Sequence, residues 1–258
     1  MPAPFDLTRF HELLRTRSLG RNFIFEPAVG STMDVARDAA QHGAPEGTVA
    51  AADEQTAGRG RLGRSWVTPP ASNLATTIVV RPPPAIARQV AMIAPLAVCN
   101  AVAGATGIRA DIKWPNDVQI HGKKLAGILI ESDVDADPPY LLVGCGINVN
   151  FDPRAYDEIR DIATSLLIAT GDTVEREPLL AAYLLHFEDL YDAAKAGLSP
   201  RDDWRSRLVT IGQKVKVSWP GGSVDGTAFD ADHDGSLIVL RDDGTLETVE
   251  AGDVTLRV

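Results

Sequence analysis

Three arginines and three glycines fill six of the seven positions of GRGRLGR at 58–64, and Trp66 follows two residues later. Guanidinium groups stay charged and bind carboxylate or phosphate oxygens through paired donors, and glycines let backbone N–H groups approach such oxygens closely. In an extended segment, side chains two residues apart point the same way, so we expect Arg59 and Arg61 to converge on one anionic ligand. No lysine and hydroxyl follow in the register of a GxxxxGK[ST] phosphate loop. A solvated loop and a nucleic-acid contact remain the alternatives.

A second group of candidate residues is KWPND at 113–117. Pro115 breaks any helix and keeps its neighbours extended, so it would present Trp114, Asn116 and Asp117 on a rigid turn. Asparagine can hydrogen-bond a base or a sugar, and aspartate can hold a magnesium ion associated with phosphate. A purely structural turn around a buried tryptophan explains the residues equally well.

A lysine begins the apolar strand pattern KLAGILIE at 124–131. A period of two places Lys124 on the same face as Ala126, Ile128 and Ile130. Such a lysine either extends to solvent or lies where a negative charge develops in a reaction.

The segment GCGINVN at 144–150 ends a strand pattern with two glycines and Asn148. The glycines allow another group to approach the backbone closely, although an ordinary glycine turn is the alternative. DADHDG at 230–235 begins like a calcium loop, but the twelfth position is Arg241 and strand patterns flank it, so we predict a hairpin turn.

Composition narrows the classes of function. The 258 residues carry a net charge of −10, with a calculated isoelectric point of about 4.9, and an acidic surface argues against broad nucleic-acid binding. Cys99 and Cys145 lack metal or redox spacing, so we predict two buried free thiols. The N-terminus has no signal-peptide pattern and no stretch is apolar enough to span a membrane, which favours a cytoplasmic protein.

The remaining patterns predict the elements that must position these residues. Ser31 or Thr32 would cap a helix ending near Gly43, and Pro95 would kink or divide an alanine-rich helix. After Ile211, short strands separated by glycine turns indicate a small antiparallel barrel or sandwich. We therefore predict two domains, 1–209 and 210–258. Helices are predicted over 5–16, within 30–43 after a loop, and over 85–107 and 178–197. Within 111–132 a loop is followed by two strands separated by a turn at 121–123. The other predicted strands are 48–56, 73–82, 141–150, 213–219, 223–231, 235–241, 245–250 and 253–258.

The order GSTMD, DEQTAGRGRLGRSW, KWPNDV, KLAGILIE and GCGINVN resembles the catalytic domain of biotin protein ligases, closely over 26–150 and more loosely beyond. The resemblance implies an α+β fold shared with class II aminoacyl-tRNA synthetases, in which helices back a mixed sheet and a small SH3-like β-barrel follows. The segment before Glu26 is too short for the winged helix-turn-helix domain of some members, so a monofunctional form without DNA binding is expected. Met33 departs from the asparagine that many members have there.

The resemblance also implies a reaction. Biotin is activated by magnesium ATP to biotinyl-5'-AMP, and biotin then passes to a lysine of the biotin carboxyl carrier domain of acetyl-CoA carboxylase or a related carboxylase. Protein biotinylation of this kind would make the carrier domain the partner, and a homodimer or monomer–dimer equilibrium is expected. Two alternatives stay open: a lipoate–protein ligase or octanoyl transferase, and a non-catalytic biotin sensor.

Carried over residue by residue, the resemblance assigns roles to the motif positions, with Asp117 also the candidate metal ligand. Biotin-binding residues would be Ser31, Thr32, Gln55, Gly58, Arg59, Gly60, Arg61 and Lys124. Nucleotide-binding residues would be Arg59, Arg61, Arg64, Trp66, Asn116, Lys124 and Asn148. Catalytic residues would be Lys124, Arg61 and Asp117.

Overall fold

A seven-stranded mixed sheet forms the larger part of the computed structural model, which describes residues 3–256. The strand order is β1-β2-β3-β7-β6-β5-β4, with β1 and β2 parallel and every other neighbouring pair antiparallel. The strands are β1 (Phe23–Val29), β2 (Val49–Gln55), β3 (Leu74–Val80), β4 (Asp111–Lys113), β5 (Asp117–Ile120), β6 (Lys123–Asp133) and β7 (Tyr140–Ile147).

Six helices accompany this sheet in the described residues. Ser31 is the N-cap of α2, and its hydroxyl accepts a hydrogen bond from the Met33 amide, as the sequence allowed. The helices are α1 (Leu7–Leu13), α2 (Thr32–Gln41), α3 (Val90–Thr106), α4 (Leu166–Thr170), α5 (Arg176–Lys195) and α6 (Arg201–Arg205).

The long helices α3 and α5 pack against one face of the large sheet. Helix α3 is apolar around most of its circumference and almost entirely buried, as expected for a helix inside a core. It begins at Val90, later than predicted, and continues through the buried Pro95 as one helix, so the expected division was wrong and the kink stays a prediction. Burial on every side stabilises a helix despite the backbone hydrogen bond that proline cannot donate.

Helix α2 covers part of the opposite face, where Met33 and Ala36 pack against Val79 and Leu142. The rest of this face carries the candidate site described below. Cys99 in α3 and Cys145 in β7 are buried free thiols, as predicted, and desolvation raises the pKa of each to about 12.

A separate five-stranded antiparallel sheet follows, in the order β11-β10-β9-β8-β12. The calcium-like segment forms the β9–β10 hairpin turn, as predicted: Asp232 Oδ1 accepts hydrogen bonds from the amides of Asp234 (2.9 Å) and Ser236 (2.8 Å). The last two residues of the strand predicted over 253–258 lie outside the described residues. The strands are β8 (Lys214–Trp219), β9 (Gly222–Ala231), β10 (Leu237–Leu240), β11 (Leu246–Val249) and β12 (Asp253–Leu256).

Four short or irregular elements escaped the sequence prediction: β1, β4, α4 and α6, with β4 in a segment expected to be a loop. Strand β1 is an edge strand interrupted by Pro27, with several exposed residues, so it lacks a clear alternation. Among residues 3–256, no helix has the length and apolar character needed to cross a membrane.

Candidate active site

The arginine loop, residues 58–66, connects β2 to β3 and folds as a small hairpin. Gly58 accepts a hydrogen bond from the Trp66 amide (2.9 Å), and the Gly60 amide donates to the Arg64 carbonyl (2.7 Å). A β-carbon on Gly58 would lie 2.4 Å from the Trp66 carbonyl oxygen, so this position requires glycine. The chain reverses at Leu62, which has a φ of 55°.

Within this hairpin Arg59 and Arg61 take different partners, contrary to the expected convergence. The Arg59 guanidinium donates to both carboxylate oxygens of Asp34 (2.7 and 3.0 Å), and this hydrogen-bonded carboxylate raises the pKa of Arg59. Arg61 donates to Asn116 Oδ1 (3.2 Å) and to the Gly252 carbonyl (3.2 Å). The alternation of side chains fails because Arg61 already belongs to a tight turn and the backbone is not extended there.

Trp66 lies flat against the open face of the large sheet, over two glycines of β6 and β7. A β-carbon on Gly146 would come within 2.4 Å of the indole ring, and one on Gly127 within 3.1 Å. The two glycines, one from each strand motif, thus form a slot that admits the indole. Trp66 Nε1 is buried and has no hydrogen-bond partner in the described part of the chain.

Lys124 lies beside this indole, with Nζ 5.4 Å from the ring centre and 2.6 Å from Asp117 Oδ1. The structure places it on the face of Gly127, whose β-carbon position lies 3.2 Å from Nζ, and not on the predicted face of Ala126. The reason is a β-bulge: Val118 pairs with Ala126 while Gln119 pairs with Lys124, which leaves one extra residue between them.

Backbone hydrogen bonds fix the start of β6 on both sides of Lys124. Its amide donates to the Ile162 carbonyl (2.8 Å), and its carbonyl accepts from the Thr164 amide (2.8 Å). The backbone of Lys124 is therefore fixed, while its side chain remains 30% exposed.

The KWPND turn contains a buried structural residue, Trp114, and a residue that contacts the arginine loop, Asn116. Trp114 is 2% exposed and donates from Nε1 to the Gly235 carbonyl (2.9 Å), which agrees with the structural interpretation for that residue. Asn116 Nδ2 donates a hydrogen bond to the Ile128 carbonyl (2.7 Å), and Asn116 Oδ1 accepts one from Arg61. The turn thus joins the arginine loop to β6.

Thr32 and Gln55 form the polar end of the site beside the N-terminus of α2. Gln55 Oε1 accepts from the Thr32 amide (2.9 Å) and hydroxyl (3.2 Å), and the Thr32 hydroxyl also meets the Thr77 hydroxyl at 2.9 Å. Ser31 is 2% exposed and is occupied by its capping bond.

Asn148 lies at the end of β7 and is 4% exposed. Asn148 Oδ1 accepts a hydrogen bond from Asn73 Nδ2 (3.4 Å), and Asn148 Nδ2 donates one to the Thr164 carbonyl (3.0 Å). Since Thr164 also holds the Lys124 backbone, Asn148 is connected to the lysine through one residue.

Sequence analysis missed the acidic partners of the cationic residues. Asp34 lies in the first turn of α2 and binds Arg59 and also Arg37 (3.0 Å). Glu131 pairs with Arg37 and, together with the arginine loop, lines a cavity of about 520 Å³. Asp253, far along the chain in β12, pairs with Arg64. Asp34 and Arg37 lie three residues apart in α2, but the members of the other pairs come from distant segments, so no local signal could reveal those.

Magnesium is the metal that the resemblance implies. In the described residues no cluster of three or more histidine, cysteine or acidic groups could hold a metal ion. Magnesium is commonly bound through one or two carboxylates together with substrate phosphates and water. The single carboxylate of Asp117 fits a metal held in that way.

The open sheet face, its cationic loop and the small antiparallel sheet define an α+β protein of the biotin/lipoate ligase class. Residues 26–148 match the Biotin/lipoate A/B protein ligase family, and residues 210–257 match the Biotin protein ligase C terminal domain. The chain is 36% identical over 234 residues to the biotin–[acetyl-CoA-carboxylase] ligase of Mycobacterium tuberculosis, covering 87% of this chain and 85% of that one.

It is also 35% identical over 249 residues to the bifunctional ligase/repressor BirA of Bacillus subtilis, covering 94% of this chain and 76% of the relative. A solved structure of the Aquifex aeolicus biotin protein ligase in complex with biotin and ATP superposes with a TM-score of 0.80 at 29% identity, covering 92% of this chain and 99% of that one. The chain belongs to the biotin protein ligase family. The resemblance and the α+β fold class inferred from the sequence are thereby confirmed.

Proposed function

We propose that this chain is an ATP-dependent, AMP-forming biotin–protein ligase. The observation that carries the proposal is the position of Lys124: its ammonium group projects into the slot on the open sheet face beside Trp66, and the arginine loop adjoins that slot. A reaction between a carboxylate and a phosphate brings two anions together. Fixed cations at the point of attack lower the barrier to such a reaction.

In the first step, an oxygen of the biotin carboxylate attacks the α-phosphorus of ATP. A new oxygen–phosphorus bond forms, the bond to the β-phosphate oxygen breaks, and pyrophosphate leaves with the electron pair. Lys124 would stabilise the charge on the reacting oxygens, and Arg61 would cover the resulting adenylate. Asp117, 2.6 Å from Lys124 Nζ, would keep the lysine directed into the slot.

In the second step, the amine of the carrier lysine attacks the carbonyl carbon of biotinyl-5'-AMP. An amide bond forms, AMP leaves with the electron pair of the broken bond, and the amine loses a proton. No nucleophile of the enzyme itself is required, because biotin and the carrier lysine supply both nucleophiles. The protein contributes position and charge.

Biotin would occupy the polar end of the site and the adjoining loop. Thr32 and Gln55 are already held by hydrogen bonds to each other, so their remaining donors and acceptors are fixed in direction before a ligand arrives. Ser31, Gly58, Arg59 and Gly60 would complete this pocket, Ser31 by shaping the start of α2. To bind the ligand, the Arg59 guanidinium would have to break its hydrogen bonds to the Asp34 carboxylate.

The nucleotide would extend from Lys124 toward the arginine loop. Arg64 would meet the triphosphate, Trp66 would stack near adenine, and Asn116 would hold Arg61 or contact the phosphates. A direct contact from Asn148 requires its amide to give up a bond to Asn73 or Thr164. Magnesium, held by Asp117 and the phosphates, would neutralise charge on the leaving pyrophosphate.

The protein partner would be a biotin carboxyl carrier domain. We also propose a cytoplasmic location, a homodimer or a monomer–dimer equilibrium, and a division into domains 1–209 and 210–258. The separate seven- and five-stranded sheets support that division.

Exchange of labelled pyrophosphate into ATP tests the activity and separates the alternatives. The purified chain is incubated with magnesium ATP and either biotin, lipoate or neither. Exchange that depends on biotin is the expected result. Exchange that depends on lipoate would indicate a lipoate ligase instead, and no exchange with either acid, while biotin still binds, would indicate a sensor.

A further inference from the structure

Two consecutive residues at the start of β12, Gly252 and Asp253, contact the arginine loop from the C-terminal sheet. The Gly252 carbonyl accepts from Arg61 at 3.2 Å, and the Asp253 carboxylate forms an ion pair with Arg64. These contacts join positions 191 and 189 residues apart in the chain. The C-terminal sheet therefore takes part in holding the arginine loop.

The two acceptors are fixed by close packing against β8. A β-carbon on Gly252 would lie 2.9 Å from the Val217 side chain and 3.0 Å from the Ser218 carbonyl. Asp253 pairs with Ser218 in the β8–β12 ladder, and its side chain is 28% exposed. Arg64 is the more exposed partner: its side chain is 69% exposed and follows the turn of the loop.

The ion pair has a consequence for phosphate binding. A guanidinium donor that points at the Asp253 carboxylate is not free to point at a phosphate oxygen. The carboxylate also repels any phosphate that approaches Arg64, since like charges at short distance disfavour each other. Both effects act in the same direction and lower the affinity of the loop for a triphosphate.

We propose that Asp253 is a positioning residue that sets the nucleotide affinity of the ligase site. The Asp253 carboxylate holds Arg64 when no nucleotide is bound. When nucleotide enters, its phosphates displace the carboxylate from Arg64. The proposal rests on the proposed function, because it takes the arginine loop to be the triphosphate site. It assigns a role to a residue outside the motifs of the catalytic sheet.

Titration calorimetry of the Asp253→Asn variant tests the proposal with two probes, magnesium-free pyrophosphate and magnesium ATP. Asparagine preserves the size of the side chain and removes the charge. The variant should bind both probes about fivefold more tightly, the ratio expected when roughly 1 kcal/mol of Coulomb repulsion is removed. Its affinity for biotin should stay unchanged, because the change acts at the triphosphate end.

Asp242→Asn is the matched control. It removes the same charge from the β10–β11 turn of the C-terminal sheet, at an exposed aspartate paired with Lys214 (3.0 Å), and it should leave both affinities unchanged. The variants Arg64→Ala and Arg64→Ala with Asp253→Asn complete a double-mutant cycle. If Asp253 acts through Arg64, the gain from Asp253→Asn should shrink to about twofold or less when Arg64 is absent.

Unchanged or weaker pyrophosphate binding by Asp253→Asn would overturn the inference, and so would an equal gain without Arg64. Weaker magnesium ATP binding alone would also contradict it, because it would make Asp253 a ligand of the nucleotide's metal ion. These outcomes differ from failure of the proposed function itself. In that case the wild-type chain would bind neither probe in the presence of biotin.

Discussion

Lys124 is the residue on which the chemical argument depends most heavily. Its backbone is fixed on both sides by the segment 162–164, and its ammonium group meets Asp117 at 2.6 Å. Because the position of this charge is fixed in advance, little free energy is spent on reorganising it during the reaction. Preorganised charges of this kind stabilise a transition state effectively.

Replacing Lys124 with alanine should lower the rate of biotinyl-adenylate formation by about a hundredfold or more, since one such contact is worth about 3 kcal/mol. Single-turnover measurement of adenylate formation gives this rate directly. Lys123→Ala is the matched control, because Lys123 is the exposed neighbour on the same strand. Its rate should equal that of the wild type. Near-normal adenylation by Lys124→Ala would remove the proposed role.

At the residue scale, the motifs predicted which side chains gather at the site but not how each is held. Lys124 pairs with Asp117 and Arg61 with Asn116, while the roles that the resemblance assigns to these residues stay predictions. Their neighbours could not be predicted because the contacts join distant parts of the chain: Asp253 reaches Arg64 across 189 positions. A sequence pattern describes one segment, whereas these ion pairs depend on how separate elements pack.

At the scale of secondary structure, the site depends on two strands that carry glycine where the indole of Trp66 lies. Strands β6 and β7 pair directly, so Gly127 and Gly146 are opposite each other in the ladder. Paired glycines in adjacent strands leave a shallow slot on the sheet surface. The sequence showed both glycines, but only the pairing register shows that they form one feature.

Gly146→Ala should push the indole of Trp66 off the sheet, because the added β-carbon would lie 2.4 Å from the ring. Overpacking of this kind costs about 1–3 kcal/mol, so the KM for ATP should rise about tenfold or more in the exchange assay. Gly104→Ala is the control, since its β-carbon would meet nothing within 4 Å and helix α3 favours alanine. Equal KM values for Gly146→Ala and wild type would show that Trp66 does not require the slot.

The bulge near Leu125 shows why strand prediction was right about the element and wrong about its faces. Leu125 is the extra residue between the pairs Val118–Ala126 and Gln119–Lys124, so a strict period of two does not hold across it. One extra residue reverses the face of everything on one side of it. Hydrophobic alternation therefore predicts that a strand exists more securely than it predicts which way its first residue points.

At the scale of the whole molecule, Glu188 in α5 ties the segment after α1 to the helical layer. Its buried carboxylate accepts four hydrogen bonds, three from the amides of Arg17 (2.6 Å), Ser18 (2.8 Å) and Leu19 (2.9 Å) and one from the Ser18 hydroxyl (2.9 Å). Burial alone would raise the pKa of Glu188, but the hydrogen bonds together outweigh it and lower the pKa.

A lowered pKa in the folded state makes the contribution of Glu188 dependent on pH. The stabilisation is fully present above the pKa of the unfolded chain and is lost as pH falls through the lower pKa of the folded protein. Glu188→Gln should therefore lower the free energy of unfolding by about 2 kcal/mol at neutral pH, with a smaller loss at acid pH. Urea unfolding at several pH values measures both quantities.

Glu175→Gln serves as the control for this prediction, because the ion pair of Glu175 with Arg9 is exposed and such pairs contribute little. The idea fails if Glu188→Gln has the same stability as wild type at neutral pH. It fails equally if the loss grows as the pH falls.

The central claim is that Lys124 and Arg61 face the carboxylate of biotin and the α-phosphate of the nucleotide in one site. A crystal structure with biotin and a non-hydrolysable ATP analogue tests it most directly. We predict that Lys124 Nζ lies within hydrogen-bond distance of the reacting oxygens and that Arg61 covers them. Both side chains directed into bulk solvent, with the two ligands bound elsewhere, would contradict the account.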